Sequence, residues 1–345
     1  MGKKKKTTLK GIAGLLGVST ATVSKALRNS SDISSDMQQR VKKLAGELGY
    51  RPNLIARTLV FQRSYLLGVI IPDLRISFFS EVTRGIYEQA RLRGYVAILM
   101  VNDEKPENER KNLEFLSDLH VDGILLDAAP GRHNYDVYAQ LVQEGFPIVC
   151  YDRKLDGFEV DSVTIDDRQA AFRLASNLIK QERRKILFLG PHEHFSVAED
   201  RYQGYLDALK SFDIPYCPDL VAHSELYAED SYRVMKSILN KGLKPDAVLC
   251  LGGAVAHGAG SAILQAGFSI PNDMILAEFG DNDVVARLGV PFVTINQNPY
   301  KIGKTAVDLL VNEIENGSET KSAKHVIIDT ELIHREIGSF KVETA

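Results

Sequence analysis

The chain has 345 residues, 44% hydrophobic and 25% charged, with three cysteines, no tryptophan and a net charge of −3. That length suits two or three domains, and the composition is that of a globular protein rather than a disordered or fibrous one. No run of about 18 apolar residues is present, so no transmembrane helix is expected. MGKKKK leads into TTLKGIAG with no long apolar stretch or cleavage site, so no secretory signal is expected and the cytoplasm is the expected location. Cys150 and Cys250 lie in strand-like apolar runs as small hydrophobes, and with Cys217 they make no metal-binding spacing.

The charge is unevenly placed. Residues 1–65 hold 13 Lys and Arg against 3 Asp and Glu, while the remainder holds 29 against 42. A basic head on an acidic body points to a polyanionic partner for the head. Lys3 to Lys6 read equally well as a solvated tail, but the other basic residues of the head lie in a patterned segment.

The predicted elements begin with TLKGIAGLLG (8–17), where Ile12, Leu15 and Leu16 recur at helical spacing, Thr8 is the N-cap and Gly17 the stop. Ser19 then caps a second helix with Val23, Ala26 and Leu27 on one face. Two short helices joined by a tight glycine turn predict a helix-turn-helix, whose second helix can enter a major groove with its N-terminal residues at base edges. Ser34 caps a third helix with Val41, Leu44, Ala45 and Leu48 as its apolar face, ended by Gly49 and Pro52.

The segment from Thr8 to Leu59, with GVSTATVSKAL, LGYRPN and IARTL, resembles the DNA-binding head of the LacI/GalR family. The resemblance implies that Thr20, Ala21 and Lys25 face base edges, and that Thr8, Ser19, Thr22, Ser24, Tyr50 and Asn53 mainly contact phosphates. The chemistry agrees: Lys offers a cation to guanine O6/N7, Ala and the Thr methyl suit a thymine methyl, and hydroxyls reach phosphate oxygens. The resemblance also implies a hinge helix at 53–59, too short to nucleate alone and expected to fold when two copies pack on DNA. Leu59 would wedge into a minor-groove step with Ala56 beside it, kinking the duplex; the competing reading of Leu59 is a linker residue. Gly11 stands where the family usually has Asp, which removes a capping box with Thr8 at a cost of roughly 1 kcal/mol. Arg28-Asn29 replaces the usual Asn-Gly, and a further phosphate contact is expected from Arg28.

From residue 65 strand-length apolar runs alternate with helical segments. YLLGVIIPD, YVAILMVN, DGILLD, PIVCYD, SVTIDD, RKILFLG, DAVLCLG, ILAEF, FVTINQ and HVIIDTELI read as strands, with segments such as FSEVTRGIYEQARLRG and QAAFRLASNLIKQ as helices. Near-continuous apolar strands between helices indicate parallel sheets covered on both faces, and the length suits two lobes. The expected fold is therefore α/β with an all-α head. The resemblance makes the body a two-lobed, type I periplasmic-binding-protein-like sensor with three crossovers. The expected organisation is a helix-turn-helix domain at 7–52, a hinge and linker at 53–64, and an effector-binding and dimerisation domain at 65–340.

In such folds ligands bind beyond the carboxyl ends of the strands. The candidates there are Asp73, Ser77, Phe78, Phe79, Asn102, Asp103, Asp127, Asp152, Arg153, Ser196, Arg201, Gly252, Gly253, Gly280 and Asp281. The resemblance implies that Phe78-Phe79 stacks a sugar or purine and that Arg201 chelates hydroxyls or an anion. The competing readings are core aromatics, a structural ion pair at a helix start for Arg201, and a loop ion pair for Asp152-Arg153. Gly252-Gly253 and Gly280 stand where sugar-binding members carry Asn-Asp and Asp, and FGDN and YDRKLD are similar to the fructose-responsive Cra-type branch. Arg153 and Arg201 without opposing carboxylates would favour an anion, so a sugar phosphate or other small anionic metabolite is expected, with a neutral sugar as the alternative. GGAVAHGAG (252–260) reads as a close-packing turn rather than a phosphate cradle, because it lacks the order of a dinucleotide motif.

His192, His194 and His257 show no metal spacing, and no GxSxG, P-loop or HExxH motif is present, so neither a cofactor nor catalysis is expected. The expected protein is a transcriptional regulator, most simply a repressor, that binds pseudo-palindromic double-stranded operator DNA as a homodimer or a tetramer, without a membrane. GSFKVETA shows no heptad repeat that would argue for a tetramerising coil. The rival is a stand-alone solute-binding protein, which needs an export signal.

Overall fold

The computed structural model describes residues 8–27, 30, 32–50, 63–191, 196–280, 283–317 and 322–337. The chain divides into two compact units at Ser64/Tyr65. The hinge segment 53–59 with Asn53, Ala56 and Leu59, together with Arg28 and Asp281, lies outside the described residues, as does the side chain of Ser196.

In the N-terminal unit, α1 (Leu9–Leu16) starts where the Thr8 hydroxyl accepts the Gly11 N–H at 3.2 Å, and stops at Gly17 with φ 66°. The α2 helix (Thr20–Leu27) is capped by Ser19, which accepts the Thr22 N–H at 3.0 Å. The α3 helix (Ser35–Glu47) is capped by Ser34, which accepts from Met37. Ile12, Ala13, Val23, Ala26, Val41 and Ala45 form the buried core, with Leu9, Leu16, Leu27, Leu44 and Tyr50 against it. Two expectations fail. Leu15 is 67% exposed, because the buried stripe of α1 is centred on Leu9, Ile12, Ala13 and Leu16, and a 100° step per residue turns Leu15 away from it. Leu48 is exposed because α3 has already ended there as its C-cap.

The second unit has two lobes, each with a six-stranded sheet. Lobe 1 holds β1 (Leu66–Ile71), α4 (Ser77–Leu92), β2 (Val96–Val101), α5 (Pro106–Asp118), β3 (Gly123–Leu126), α6 (Tyr135–Gln143), β4 (Ile148–Tyr151) and β5 (Asp161–Thr164). The chain then crosses into α7 (Asp167–Lys180), β6 (Ile186–Leu189), α8 (Ser196–Ser211), β7 (Val221–Ala222), α9 (Ala228–Asn240), β8 (Ala247–Cys250), α10 (Gly253–Gln265), β9 (Ile275–Phe279), α11 (Asp283–Ala286) and β10 (Phe292–Asn296). It returns through α12 (Pro299–Asn316) to β11 (His325–Ile327) and crosses again to β12 (Glu331–Arg335).

The strand orders are β11-β5-β4-β3-β1-β2 and β12-β10-β9-β8-β6-β7, parallel throughout except for the antiparallel β12–β10 pair. HVIIDTELI is thus two strands rather than one, broken at 328–330 where the chain changes sheets. Central strands such as β4 and β8 are fully buried, Cys150 and Cys250 among them, as their unbroken apolar runs require. The glycines of 252–260 are not a turn: α10 begins at Gly253, and a Cβ on Gly258 would lie 2.1 Å from the Ala228 carbonyl oxygen of α9. Close packing is the right reason, but it acts between two helices. Among the described residues no helix is long and apolar enough to cross a membrane.

Candidate DNA-reading helix and effector cleft

Val23 and Ala26 turn into the head's core, leaving Ser19, Thr20 and Ala21 exposed and Thr22, Ser24 and Lys25 half-buried along the rest of α2. Ala21 and Lys25 stand four residues apart on one face. Ser19 Oγ and Thr22 Oγ1 lie 2.9 Å apart and share one hydroxyl proton, so the other remains available to an outside acceptor. The Thr8 hydroxyl, spent as an acceptor at the cap, likewise keeps its proton to donate. Tyr50 is anchored by its N–H to Ala45 at 2.8 Å, and burial pushes its phenol up. Lys25 Nζ lies 2.7 Å from Asp32, and the hydrogen bond and charge of Lys25 hold that carboxyl below its ordinary value. Sequence reasoning missed Asp32 because the loop before α3 carries no periodic signal.

In the second unit a cleft opens at the carboxyl ends of the strands of both lobes. Lobe 1 contributes Arg75, Ile76, Ser77, Phe78 and Phe79 after β1, and Asp152 and Arg153 after β4. Lobe 2 contributes Pro191 after β6, Val197, Ala198 and Arg201 of α8, Leu226, Leu251 to Ala254 after β8, Phe279 at the end of β9 and Gly280 after it, Val284, and Gln297 after β10. Of the expected residues, Ser77, Phe78, Phe79, Asp152, Arg153, Arg201, Gly252, Gly253 and Gly280 come together here, whereas Asp73, Asn102, Asp103 and Asp127 do not line it. The Asn102 side chain instead accepts the Glu104 N–H at 2.9 Å. Phe79 is buried and Phe78 half-buried, edge to face with centroids 5.1 Å apart, so the pair is part core and part cleft wall. Gln297 and Phe279 were missed: the first was counted within the strand FVTINQ, which ends at Asn296, and the second is the last residue of β9.

Both cleft arginines are matched by carboxylates, which overturns the expectation that they stand unopposed. Arg201 Nε donates to Asp167 at 2.7 Å, its other nitrogens donate to the Leu251 carbonyl at 3.0 Å and Gln297 Oε1 at 2.9 Å, and its guanidinium carbon sits 4.0 Å from the Phe279 ring centre. Burial lifts the Asp167 carboxyl to about 7 against the pull of Arg201. Arg153 forms a two-pronged pair with Glu104, both bonds 2.7 Å, and donates to the Ala128 carbonyl at 2.9 Å. Behind it lies Asp127, 3.6 Å from Arg153 Nε and fully buried, and burial pushes its carboxyl well up. Burial also raises Asp152, opposed by Arg153 and Arg201. Among the described residues no cluster of His, Cys, Asp or Glu is arranged to hold a metal ion. His257 stands outside the cleft, and burial lowers it.

A compact basic helix-turn-helix joined to a two-lobed parallel-sheet unit with a cleft at its strand ends defines a class, the ligand-responsive DNA-binding regulators. The profile of bacterial regulatory proteins of the lacI family matches residues 8–53, and that of periplasmic binding proteins and the sugar binding domain of the LacI family matches residues 64–336. The chain belongs to the LacI family and is a DNA-binding transcriptional regulator. It is 31% identical to the HTH-type transcriptional repressor CytR of Escherichia coli, over 96% of this chain and 97% of that protein. The ribose operon repressor of Haemophilus influenzae is 28% identical, over 95% and 98%. In fold it is similar to the lac repressor dimer bound to operator and an anti-inducer, with a TM-score of 0.85 at 22% identity, over 96% of this chain and 99% of that one.

Proposed function

We propose that this regulator is a cytoplasmic, non-enzymatic repressor that holds a pseudo-palindromic operator as a homodimer and is controlled by a small neutral, hydroxyl-bearing metabolite in the cleft. The observation that carries the effector reading is charge compensation. Glu104 and Asp167 already occupy Arg153 and Arg201, and Asp152 adds a further carboxylate to the cleft wall. A phosphate would have to displace those partners or sit beside them, a large penalty at low dielectric. A neutral sugar can instead donate hydroxyl protons to Asp152 and lay its apolar face against Phe78 and Phe279. The similarity to a ribose operon repressor supports the same class. Calorimetry with pentoses and hexoses beside their phosphates tests it: binding of the neutral sugars is expected, and binding of the phosphates alone overturns it.

On the DNA side the proposed readers are Thr20, Ala21 and Lys25 at base edges. Thr8, Ser19, Thr22, Ser24, Arg28, Tyr50 and Asn53 serve the backbone, and Ala56 and Leu59 the hinge. The division at 7–52, 53–64 and 65–340 belongs to this proposal. We assign dimerisation to the edge of lobe 1, where β2 ends its sheet and Val96 is 60% and Leu92 71% exposed, with Tyr87 and Phe115 exposed on the flanking helices and Leu119 exposed at the C-cap of α5. Leu92→Glu is expected to yield monomers in sedimentation that no longer hold an operator duplex selected from genomic fragments, because two heads are needed for two half-sites.

A further inference from the structure

One group of side chains ties the two lobes together at the rim of the cleft. Asp73 and Arg75 follow β1 on lobe 1, and Tyr227 immediately precedes α9 on lobe 2. Arg75 Nε donates to both oxygens of Asp73, at 3.0 and 2.9 Å, and another guanidinium nitrogen donates to the Tyr227 hydroxyl at 2.9 Å. That hydroxyl donates in turn to Asp73 Oδ2 at 2.9 Å, closing a ring of three partners. The guanidinium carbon also lies 4.7 Å from the centre of the Tyr227 ring. Asp73 is 4% exposed, and although burial raises its carboxyl, the donors Arg75 and Tyr227 hold it below the ordinary value. Arg75 lines the cleft while its side chain remains largely exposed, which places the ring where the cleft meets solvent; Leu226, next to Tyr227, lines the facing wall.

The ring is divided unequally between the lobes. When the lobes part, Asp73 and Arg75 keep one another, so the buried carboxylate retains its cation. Only the two hydrogen bonds of the Tyr227 hydroxyl and the ring contact are lost. Such a tie is firm enough to bias an equilibrium and cheap enough to open, since each net hydrogen bond contributes on the order of 1 kcal/mol.

We infer that Tyr227 is a clasp residue, received by Asp73 and Arg75, that sets how much of the effector-free protein has its cleft closed. This rests on the cleft being the effector site. Tyr227 and Asp73 act as positioning residues for the lobes, and the effector's apparent affinity depends on the fraction of molecules in which the clasp is open or closed.

The test is amide hydrogen exchange on the full effector-free chain. Tyr227→Phe removes only the hydroxyl, and the amides of the facing rims, 75–79 and 225–231, are expected to exchange roughly 5- to 10-fold faster. The amides of β4 and β8 and the melting temperature should stay as in the wild type, which a merely structural role would not allow. Arg75→Ala, which leaves the Tyr227–Asp73 hydrogen bond in place, is expected to accelerate the same rim, and the double variant by less than the product of the two single effects, because both variants remove the Arg75–Tyr227 bond. Unchanged rim exchange in Tyr227→Phe, additive effects in the double variant, or acceleration spread through the sheet cores would overturn the clasp. No effector enters the measurement, so its failure is separable from that of the sugar reading, which the calorimetry decides.

Discussion

Two ion pairs of the same length stand in opposite settings. Lys25–Asp32 in the head and Arg201–Asp167 in the body are both 2.7 Å, but the first pair is 44% and 60% exposed at its side chains and the second 7% and 6%. In the head, solvent screens the pair and leaves the ammonium able to exchange its carboxylate for another acceptor. In the body, each charge is held by the other, Arg201 also by the Leu251 carbonyl and Gln297, and neither can be given up cheaply. The head's pair is open to solvent, whereas the body's is built into the wall of a cavity.

The largest loss is expected in the body. Arg201→Ala leaves Asp167 buried without its cation and is expected to cost about 3–5 kcal/mol in denaturant unfolding of the body, not only a lost effector response. If stability held while the response vanished, Arg201 would be a ligand hook rather than a keystone. In the head, Ile12→Ala removes the largest fully buried side chain of a core half made of alanines and should cost about 2–4 kcal/mol. DNA binding is then lost, while the melting of the body stays as it was.

Lys25→Ala is expected to weaken specific operator binding by about 1–3 kcal/mol in fluorescence anisotropy; unchanged discrimination against scrambled duplex would remove it from the base-reading face. Asp127 makes the stability of the body depend on pH. Its carboxyl binds a proton more tightly folded than unfolded, where the value is 3.8, so its contribution is complete below that value and is lost as pH rises towards the elevated folded one. Asp127→Asn should therefore gain on the wild type with rising pH, by up to about 1.4 kcal/mol per unit, seen in urea midpoints from pH 4 upward. The smallest effect belongs to Asp32→Asn. Freeing Lys25 and removing one negative charge should tighten binding to random duplex roughly 2- to 5-fold and steepen its salt dependence by about one unit.

The head was legible because its caps are local: Thr8, Ser19 and Ser34 each accept an N–H three residues on. Where a helix turns or ends within one residue, as at Leu15 and Leu48, periodicity alone assigned the wrong side. In the body, the strand-end rule gathered Phe78, Asp152, Arg201 and Gly252 into one cleft. It did not show what each arginine faces. Glu104 lies 49 residues from Arg153 and Asp167 lies 34 from Arg201, and no local pattern encodes a pairing at that range. The expectation that both arginines stand unopposed followed from that gap. Tyr227, 154 residues from Asp73, was out of reach for the same reason.

The late switch of sheets at 328–330 makes the tail of the fold a shared fastening. His325–Ile327 is the outermost strand of one sheet and Glu331–Arg335 the outermost strand of the other. A truncation before His325 would therefore bare the backbone edges of β5 and β10 together, each carrying fully buried residues such as Val163 and Ile295. Exposed hydrophobic edges recruit other chains, so a short terminal deletion should turn this protein towards aggregation rather than merely loosen one lobe.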